Sequence, residues 1–418
     1  MTHPDWRQIQ RDHLFFTWTR QAASNGWEID AAEGARFHVP GRGWIWDLES
    51  QVYNVNAGHN HPHIKRRMVD QINELPAAAP GAVLPIRATL AEKLVTHTGL
   101  ERAFLTTGGS EAVENAIKIA RLFTGRRKIL ARRHSYHGAT FATLAIGGDA
   151  RKDPFVADLS PSYHIDDPYP LPPRGDGPSA WLASVQRLVA REGPDTIAAI
   201  LLEGLTGTNG VQIPPDDFWP GVRQLCDEHR ILLIDDEIFS GFGRTGRWFA
   251  CEHWQVRPDI MVIGKGLTSG YAPLAGVMVN REISEYFVDQ TLWCGLTHYA
   301  HPVSCAAAVG AVEVLEHDKL VENAASVGQH LFARVAALRD DAVIGAHLVD
   351  VRGRGLMLAV EFDRAAESLV ARLWARNVYC PARTRTLFLC PPLCLTRHQA
   401  DQVADLLVDA AREEFASG

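Results

Sequence analysis

ILLIDDEIFSGFGRTG, residues 231–246, is the stretch on which the fold turns. Four apolar residues without a polar alternate run straight into three carboxylates, Asp235, Asp236 and Glu237. A strand buried on both faces looks like this, because helices cover it above and below and leave no wet side for polar residues. The same signature recurs at 197–202 (IAAILL), 259–263 (DIMVI) and 276–279. Between such runs lie stretches with helical spacing. In 111–123, Val113, Ala116, Ile117 and Ala120 fall on one face by i, i+3, i+4, i+7 recurrence, and Gly125 is placed to stop the helix. Strand and helix in alternation predict an α/β chain with a mostly parallel sheet covered by helices.

Working outward from the centre, 43–56 (GWIWDLESQVYNVN) alternates apolar and polar residues and reads as a short antiparallel region. Residues 63–75 and 86–97 read as helices, and 102–107 (RAFLTT) and 128–132 as strands. The Pro- and Gly-rich stretch 161–178 reads as a surface excursion, since the alternation resumes after it. From Pro302 the rhythm changes. A long helical stretch to about 338 is followed by 348–362, a helix around 365–375, a strand around 387–390 and a last helix from about Arg397, with Thr396 as its N-cap. The expected organisation is a large domain over 56–301 and a smaller α+β domain made from 1–55 and 302–418.

Ligands of a parallel sheet sit at the carboxyl ends of its strands, and several unusual sequences fall there. Thr106-Thr107-Gly108-Gly109-Ser110-Glu111 takes a strand through two glycines into a helix. The helix amino end offers unpaired N–H groups and Ser110 a hydroxyl, which together make a phosphate cradle. A plain tight turn with Ser110 as N-cap is at least as well supported by this segment alone. It is neither a GxGxxG nor a Walker pattern, so dinucleotide and nucleotide readings lose ground. The three carboxylates at 235–237 are costly at that depth unless paired. A protonated ring nitrogen, a divalent metal or plain solvation would each satisfy them, but no His or further acid stands at ligand spacing. Gly264-Lys265-Gly266 places a lysine after a buried run. Desolvation would make it a nucleophile towards carbonyls, while most lysines in turns are merely solvated. His134-Ser135-Tyr136-His137-Gly138 offers a ring able to cover a flat cofactor or to serve as ordinary core. His59, His61 and His63 alternate, but no further ligand completes a metal site and structural roles are expected.

Composition bounds the answer. The chain has 418 residues, 46% hydrophobic and 22% charged, with a formal charge of −7. These are soluble, globular values, and an acidic chain without a dense basic run is a poor nucleic-acid binder. The short cluster Lys65, Arg66, Arg67 reads as one solvated helix face. No stretch has the length of a membrane span, residues 1–13 carry no apolar signal core, and seven scattered cysteines form no CxxC. The expectation is a cytoplasmic protein without nucleic-acid or membrane partners.

Taken in order, GGSEAVENAIKIAR (108–121), SYHGAT (135–140), DEIFSGFGRTG (236–246), PDIMVIGKGLTSGYAPLAGV (258–277) and GLTHYAHPVSCAAA (295–308) resemble class III aminotransferases, pyridoxal-phosphate enzymes of fold type I. The resemblance covers about residues 18–392 and implies a seven-stranded, mostly parallel sheet. By it, Lys265 is the lysine that holds the cofactor as a Schiff base and Asp236 the partner of the pyridinium nitrogen. Gly109 and Ser110 match phosphate ligands. Tyr136, with His137 beside it, matches the residue on one ring face and Ile238 that on the other. Glu203 matches a glutamate close to the cofactor. Thr297 matches a phosphate ligand lent by the neighbouring subunit, which implies a homodimer. Trp18, Val52 and Tyr53 match the donor pocket, and Arg383, with Arg385 as competitor, the arginine for a substrate acid group. The chain departs from relatives at Phe239, where many carry a glutamine that reaches the cofactor's phenolic oxygen, at Gly204-Leu205 and at His298-Tyr299-Ala300. TGRWFACEHW (245–254) resembles the taurine–pyruvate and ω-aminotransferase subgroup, which implies an amine or ω-amino acid donor and a keto-acid acceptor such as pyruvate. On the same scaffold, a racemase, an aminomutase, a decarboxylating aminotransferase or a non-catalytic cofactor-binding protein are the alternatives.

Overall fold

The computed structural model describes residues 5–23, 26–170, 172 and 177–416. After a helix, Trp6–His13, come three short strands: β1 (Ala31–Glu33), β2 (Arg36–Val39) and β3 (Gly43–Asp47), antiparallel in sequence. Seven strands then build the main sheet: β4 (Arg102–Thr106), β5 (Lys128–Arg132), β6 (Tyr163–Ile165), β7 (Ile197–Glu203), β8 (Leu232–Asp236), β9 (Ile260–Ile263) and β10 (Ala275–Val279). Their order across the sheet is β4-β10-β9-β8-β7-β5-β6. From β9 to β6 every pairing is parallel, whereas β10 runs antiparallel to both neighbours.

The unalternating apolar runs are explained by cover on both faces. On one face, Val113, Ala116, Ile117 and Ala120 of the helix Gly109–Thr124 pack with Ile234, Ile260, Val262 and Val277. On the other, Trp181 and Val185 of Ala180–Glu192 and Trp219 and Val222 of Phe218–His229 pack with Ile200, Leu202 and Leu233. Every residue of β7, β8, β9 and β10 is buried. Burial of this kind drives the fold at roughly 25 cal/mol per Å² of apolar surface.

Five more strands follow: β11 (Leu348–Arg354), β12 (Met357–Phe362), β13 (Val378–Tyr379), β14 (Ala382–Arg383) and β15 (Thr386–Leu389). Four form an antiparallel sheet in the order β11-β12-β15-β14, while β13 leaves it and pairs in parallel with β3. Both chain ends thus meet in one small sheet. Arg244, fully buried, ties them to the glycine-rich loop after β8. It donates to the Leu356 and Pro391 carbonyls, to Asn56 Oδ1 at 2.8 Å and to Ser50 Oγ at 3.2 Å.

Four segments differ from their sequence reading. The antiparallel stretch at 43–56 ends at Asp47, and Ser50, Gln51, Val52 and Tyr53 follow with φ of 55, 47, 64 and 64°, one turn of left-handed backbone. Alternating polarity could not reveal it. The helical stretch 302–338 is two helices, Pro302–His317 and Leu320–Ala336, broken at Lys319 with φ 53°. The excursion 161–178 contains an edge strand, β6, too short to show a pattern; residues 171 and 173–176 of that stretch lie outside the described residues, as do residues 1–4 of the amino-terminal segment. Residues 348–362 are a hairpin with Gly355 at its turn. Among the described residues no helix is long and apolar enough to cross a membrane.

Candidate active site

The carboxyl ends of β4, β5, β7, β8 and β9 bring the unusual sequences together. After β4, Gly108 caps the helix Gly109–Thr124, so the cap is this glycine and not Ser110. Glu111 folds back to accept from the Thr107 and Gly108 amides at 2.9 and 3.3 Å. The amides of Gly109 and Ser110 stand in the first turn, where no intrahelical carbonyl reaches them and the helix dipole is positive. A Cβ on Gly109 would sit 2.9 Å from Ile238 Cδ1 and push that side chain aside. Ser110 Oγ accepts from the Ala139 amide at 3.0 Å, which fastens the helix start to the SYHG loop. Gly138 in that loop has φ +136°, and a Cβ on it would meet Ser110 Oγ at 2.6 Å.

Asp236 ends β8, 4% exposed. One oxygen meets His137 Nδ1 at 2.8 Å and the other accepts from the Ile238 amide at 3.1 Å. His137 Nε2 is buried without a partner. Glu203, at the end of β7, braces two loops. It accepts from the Tyr136 amide at 3.1 Å and the Gly207 amide at 2.6 Å, and burial raises its proton affinity. Asp235 and Glu237 flank Asp236 in sequence and cluster with Cys251. Burial and Glu237 push Asp235 well up, and burial pushes Glu237 up to about 7. Glu237 accepts from Ser240 Oγ at 2.5 Å and the Cys251 amide at 3.0 Å, so this pair serves the strand end rather than Asp236.

Lys265 follows β9 with φ +43°, a left-handed conformation that costs a non-glycine residue of order 1 kcal/mol. Its Nζ lies 4.7 Å from the Phe239 ring centroid and 5.7 Å from that of Tyr53, two rings themselves 4.3 Å apart. Burial depresses its pKa to about 8 against the opposing pull of Asp236 and Glu203. Tyr53 is 5% exposed and is delivered there by the left-handed turn.

Above Tyr136 the structure places a group that sequence reading missed. The Arg151 guanidinium stacks on the Tyr136 ring at 3.6 Å and stands 5.0 Å from that of Trp18, which is 62% exposed. Arg151 is held by Asp149 at 2.8 and 3.1 Å and by Thr208 Oγ1 at 3.2 Å. Arg383 Nη1 reaches the same carboxylate at 2.9 Å, with Thr208 O at 3.3 Å and Asn209 Oδ1 at 3.2 Å. Arg385 turns to Glu361 at 2.6 Å. Of the two competing arginines, Arg383 therefore joins the Arg151 cluster, and Arg385 does not. Arg383 also lines a cavity of about 300 Å³ with Tyr169, Arg352, Glu361 and Arg385. The only sequence signal for Arg151 was an Asp-x-Arg step after the SYHG loop, too common to single out. Thr297 is exposed and Val52 is 60% exposed, neither tied to the strand-end cluster by a hydrogen bond among the described residues. His59, His61 and His63 each face a different carboxylate, Asp47, Asp318 and Glu313.

Residues 23–411 match the model of the aminotransferase class-III family. The chain is 31% identical to ornithine aminotransferase 1 of Staphylococcus aureus, over 88% of this chain and 92% of that protein. It is 34% identical to acetylornithine aminotransferase 1 of Bordetella pertussis, over 90% of this chain and 95% of that one. Its fold superposes on taurine:2-oxoglutarate aminotransferase of Bifidobacterium kashiwanohense, solved with PLP and glutamate. The TM-score is 0.93 at 30% identity, covering 99% of this chain and 100% of that one.

Proposed function

Because the chain belongs to the class III aminotransferases, we propose that it moves an amino group from an amine or ω-amino acid, taurine, β-alanine or similar, to a keto acid such as pyruvate. The cofactor of this class is pyridoxal phosphate, and the residues present fit it. The first turn of Gly109–Thr124 leaves amides and a glycine cradle for a phosphate. Among the described residues the Asp236 carboxylate hydrogen-bonds only to His137 Nδ1 and the Ile238 amide, so it can receive a protonated ring nitrogen. Lys265 Nζ stands against the Phe239 and Tyr53 rings, within the electrostatic reach of Asp236 and Glu203.

The observation that carries the reading is Lys265 itself: an amine desolvated to about 8, in strained backbone, beside the Asp236 carboxylate. Gly109 and Ser110 would hold the phosphate and Asp236 the ring nitrogen. Tyr136 and Ile238 would enclose the ring, and Thr297 of a neighbouring copy would complete the phosphate site. When bound, pyridoxal phosphate supplies an electron sink for the charge left as a proton leaves the amine-bearing carbon. Lys265 would hold the cofactor, and its amine, when free, would take that proton as general base. His137 holds Asp236 in place, and Glu203 holds the Tyr136 loop through its amide. Arg383 receives the acid group of the substrate.

Lys265→Ala is expected to lose turnover by at least about 10³-fold, the scale of a general base combined with a lost covalent link, with circular dichroism unchanged. Retained turnover in that variant would refute the assignment. Keto-acid-independent turnover would favour the racemase or aminomutase alternatives, and CO₂ release a decarboxylating one.

A further inference from the structure

We propose that Arg87 is a positioning residue for the cofactor phosphate: it acts through the turn 296–299 and holds Thr297 in the pose that a neighbouring copy's site requires. The inference rests on the proposed shared phosphate site and adds the group that shapes the loop bearing Thr297.

Thr297 and His298 are the central residues of a tight turn, closed by the Tyr299 amide donating to the Leu296 carbonyl at 3.3 Å. Both central residues are exposed. A turn with one hydrogen bond of its own takes its orientation from whatever holds its ends. Here Arg87 holds the carboxyl end. Its Nε donates to the Ala300 carbonyl at 2.8 Å and its Nη2 to the Tyr299 carbonyl at 3.2 Å. Ala300 is 2% exposed with φ +45°, a left-handed conformation that a residue with a Cβ keeps only where its surroundings impose it. The Tyr299 ring, 5.2 Å from that of Phe104 on β4, is a second anchor for the same end.

The rest of the guanidinium gathers another loop. Nη1 donates to the Ala79, Pro80 and Ala82 carbonyls at 3.0, 3.3 and 2.7 Å, and Nη2 to that of Ala78 at 3.4 Å. One side chain thus ties 78–82 to 299–300, segments far apart in sequence. Arg87 is not there for the sake of its own helix. It stands in the first turn of Pro85–Thr98, where the helix dipole is positive and a cation is disfavoured. Among the described residues its hydrogen bonds go to main-chain carbonyls and to no carboxylate. A planar fork with five N–H donors suits carbonyls on two loops; an ammonium with three donors on one atom cannot span them.

The test compares two aldehydes on the full-length chain after its cofactor has been stripped. Pyridoxal phosphate and pyridoxal differ only in the phosphate, and the visible band that grows on titration gives a dissociation constant for each. In Arg87→Ala the constant for pyridoxal phosphate is expected to rise about tenfold, the scale of one lost hydrogen bond to a charged group. That for pyridoxal is expected to change by less than about twofold. Thr297→Ala is expected to show the same pattern, and the double variant no more than Thr297→Ala alone, because the arginine acts through the threonine. Arg87→Lys is expected to fall between wild type and Arg87→Ala, and it decides the matter on the same criterion if Arg87→Ala does not fold. Equal weakening for both aldehydes marks a merely structural arginine and overturns the proposal. So do full additivity in the double variant, an unchanged preference in the Arg87 variants, and an unchanged preference in Thr297→Ala. Wild-type chain that forms no band, or that binds the two aldehydes equally, defeats the cofactor reading itself and this inference with it.

Discussion

At the scale of single residues, the burial around Lys265 has a physical reason legible in the chain. A charged residue directly after a buried strand, between two glycines, has nowhere polar to go, and that much is visible in the chain itself. The structure adds what sequence could not: φ of +43°, and the aromatic wall of Phe239 and Tyr53 against the amine. The same aromatic surroundings set a pH dependence. The folded pKa, about 8, lies below the lysine's ordinary 10.5, so the charged form is disfavoured in the folded apoprotein. The penalty is present below pH 8 and is relieved as the pH rises from about 8 to 10.5, because the unfolded chain then still binds a proton that the folded one has lost. For wild-type apoprotein relative to Lys265→Met, Tm is therefore expected to rise across that interval. The rate at which apoprotein takes up pyridoxal phosphate should climb through about pH 8, since only the neutral amine attacks a carbonyl. A pH-independent difference in Tm would contradict the burial of this amine. Asp236 was legible for the same reason as Lys265, as a carboxylate at a buried strand end. Asp236→Asn is expected to lower turnover by about 10²-fold or more while the cofactor remains bound, measured by steady-state rate beside the visible band. Arg151 was not legible, since its meaning lies in a stack on Tyr136 that chain order does not announce.

At the scale of elements, the strands of the main sheet were readable because burial on both faces erases alternation, and their helices because one face repeats every three to four residues. Segments shaped by contact and not by pattern escaped. The left-handed turn at Ser50–Tyr53 carries Tyr53 beneath Lys265, and its cost is carried by the site it serves. The contacts of the glycine-rich tail after β8 explain its composition. A Cβ at Gly246 would stand 2.8 Å from Ala325 Cα, and one at Gly243 2.9 Å from Leu393 Cδ1. The same crossing fixes Gly328, mid-helix in Leu320–Ala336, where a glycine otherwise weakens a helix. A Cβ there would meet the Gly355 carbonyl oxygen at 2.1 Å, in the turn between β11 and β12. Gly328→Ala, a substitution that raises helix propensity, is expected to destabilise the protein by about 1–3 kcal/mol, seen as a lower urea midpoint. A stabilised variant would show that the hairpin turn does not press on this helix.

For the molecule as a whole, the large apolar residues left exposed include Leu14, Phe15, Val83 and Trp293, at 63, 92, 95 and 71%. These side chains, like the exposed Thr297, are free among the described residues to meet a second copy in the proposed homodimer. Sedimentation is expected to give twice 46.1 kDa at micromolar concentration, and Thr297→Ala to weaken cofactor retention on dialysis without changing that mass. A monomer that retains the cofactor equally well would reject the shared site. Chain order alone gave the resemblance and the sheet, but exposure is a property of the folded surface and could not be read beforehand. The account as a whole stands on one claim, that Lys265 holds pyridoxal phosphate and moves an amino group with it. The most direct measurement is the visible absorption of the purified, reconstituted protein before and after taurine, and again after pyruvate. The account predicts a visible band that collapses with the amine and returns with the keto acid. A protein that shows no band after reconstitution would contradict it.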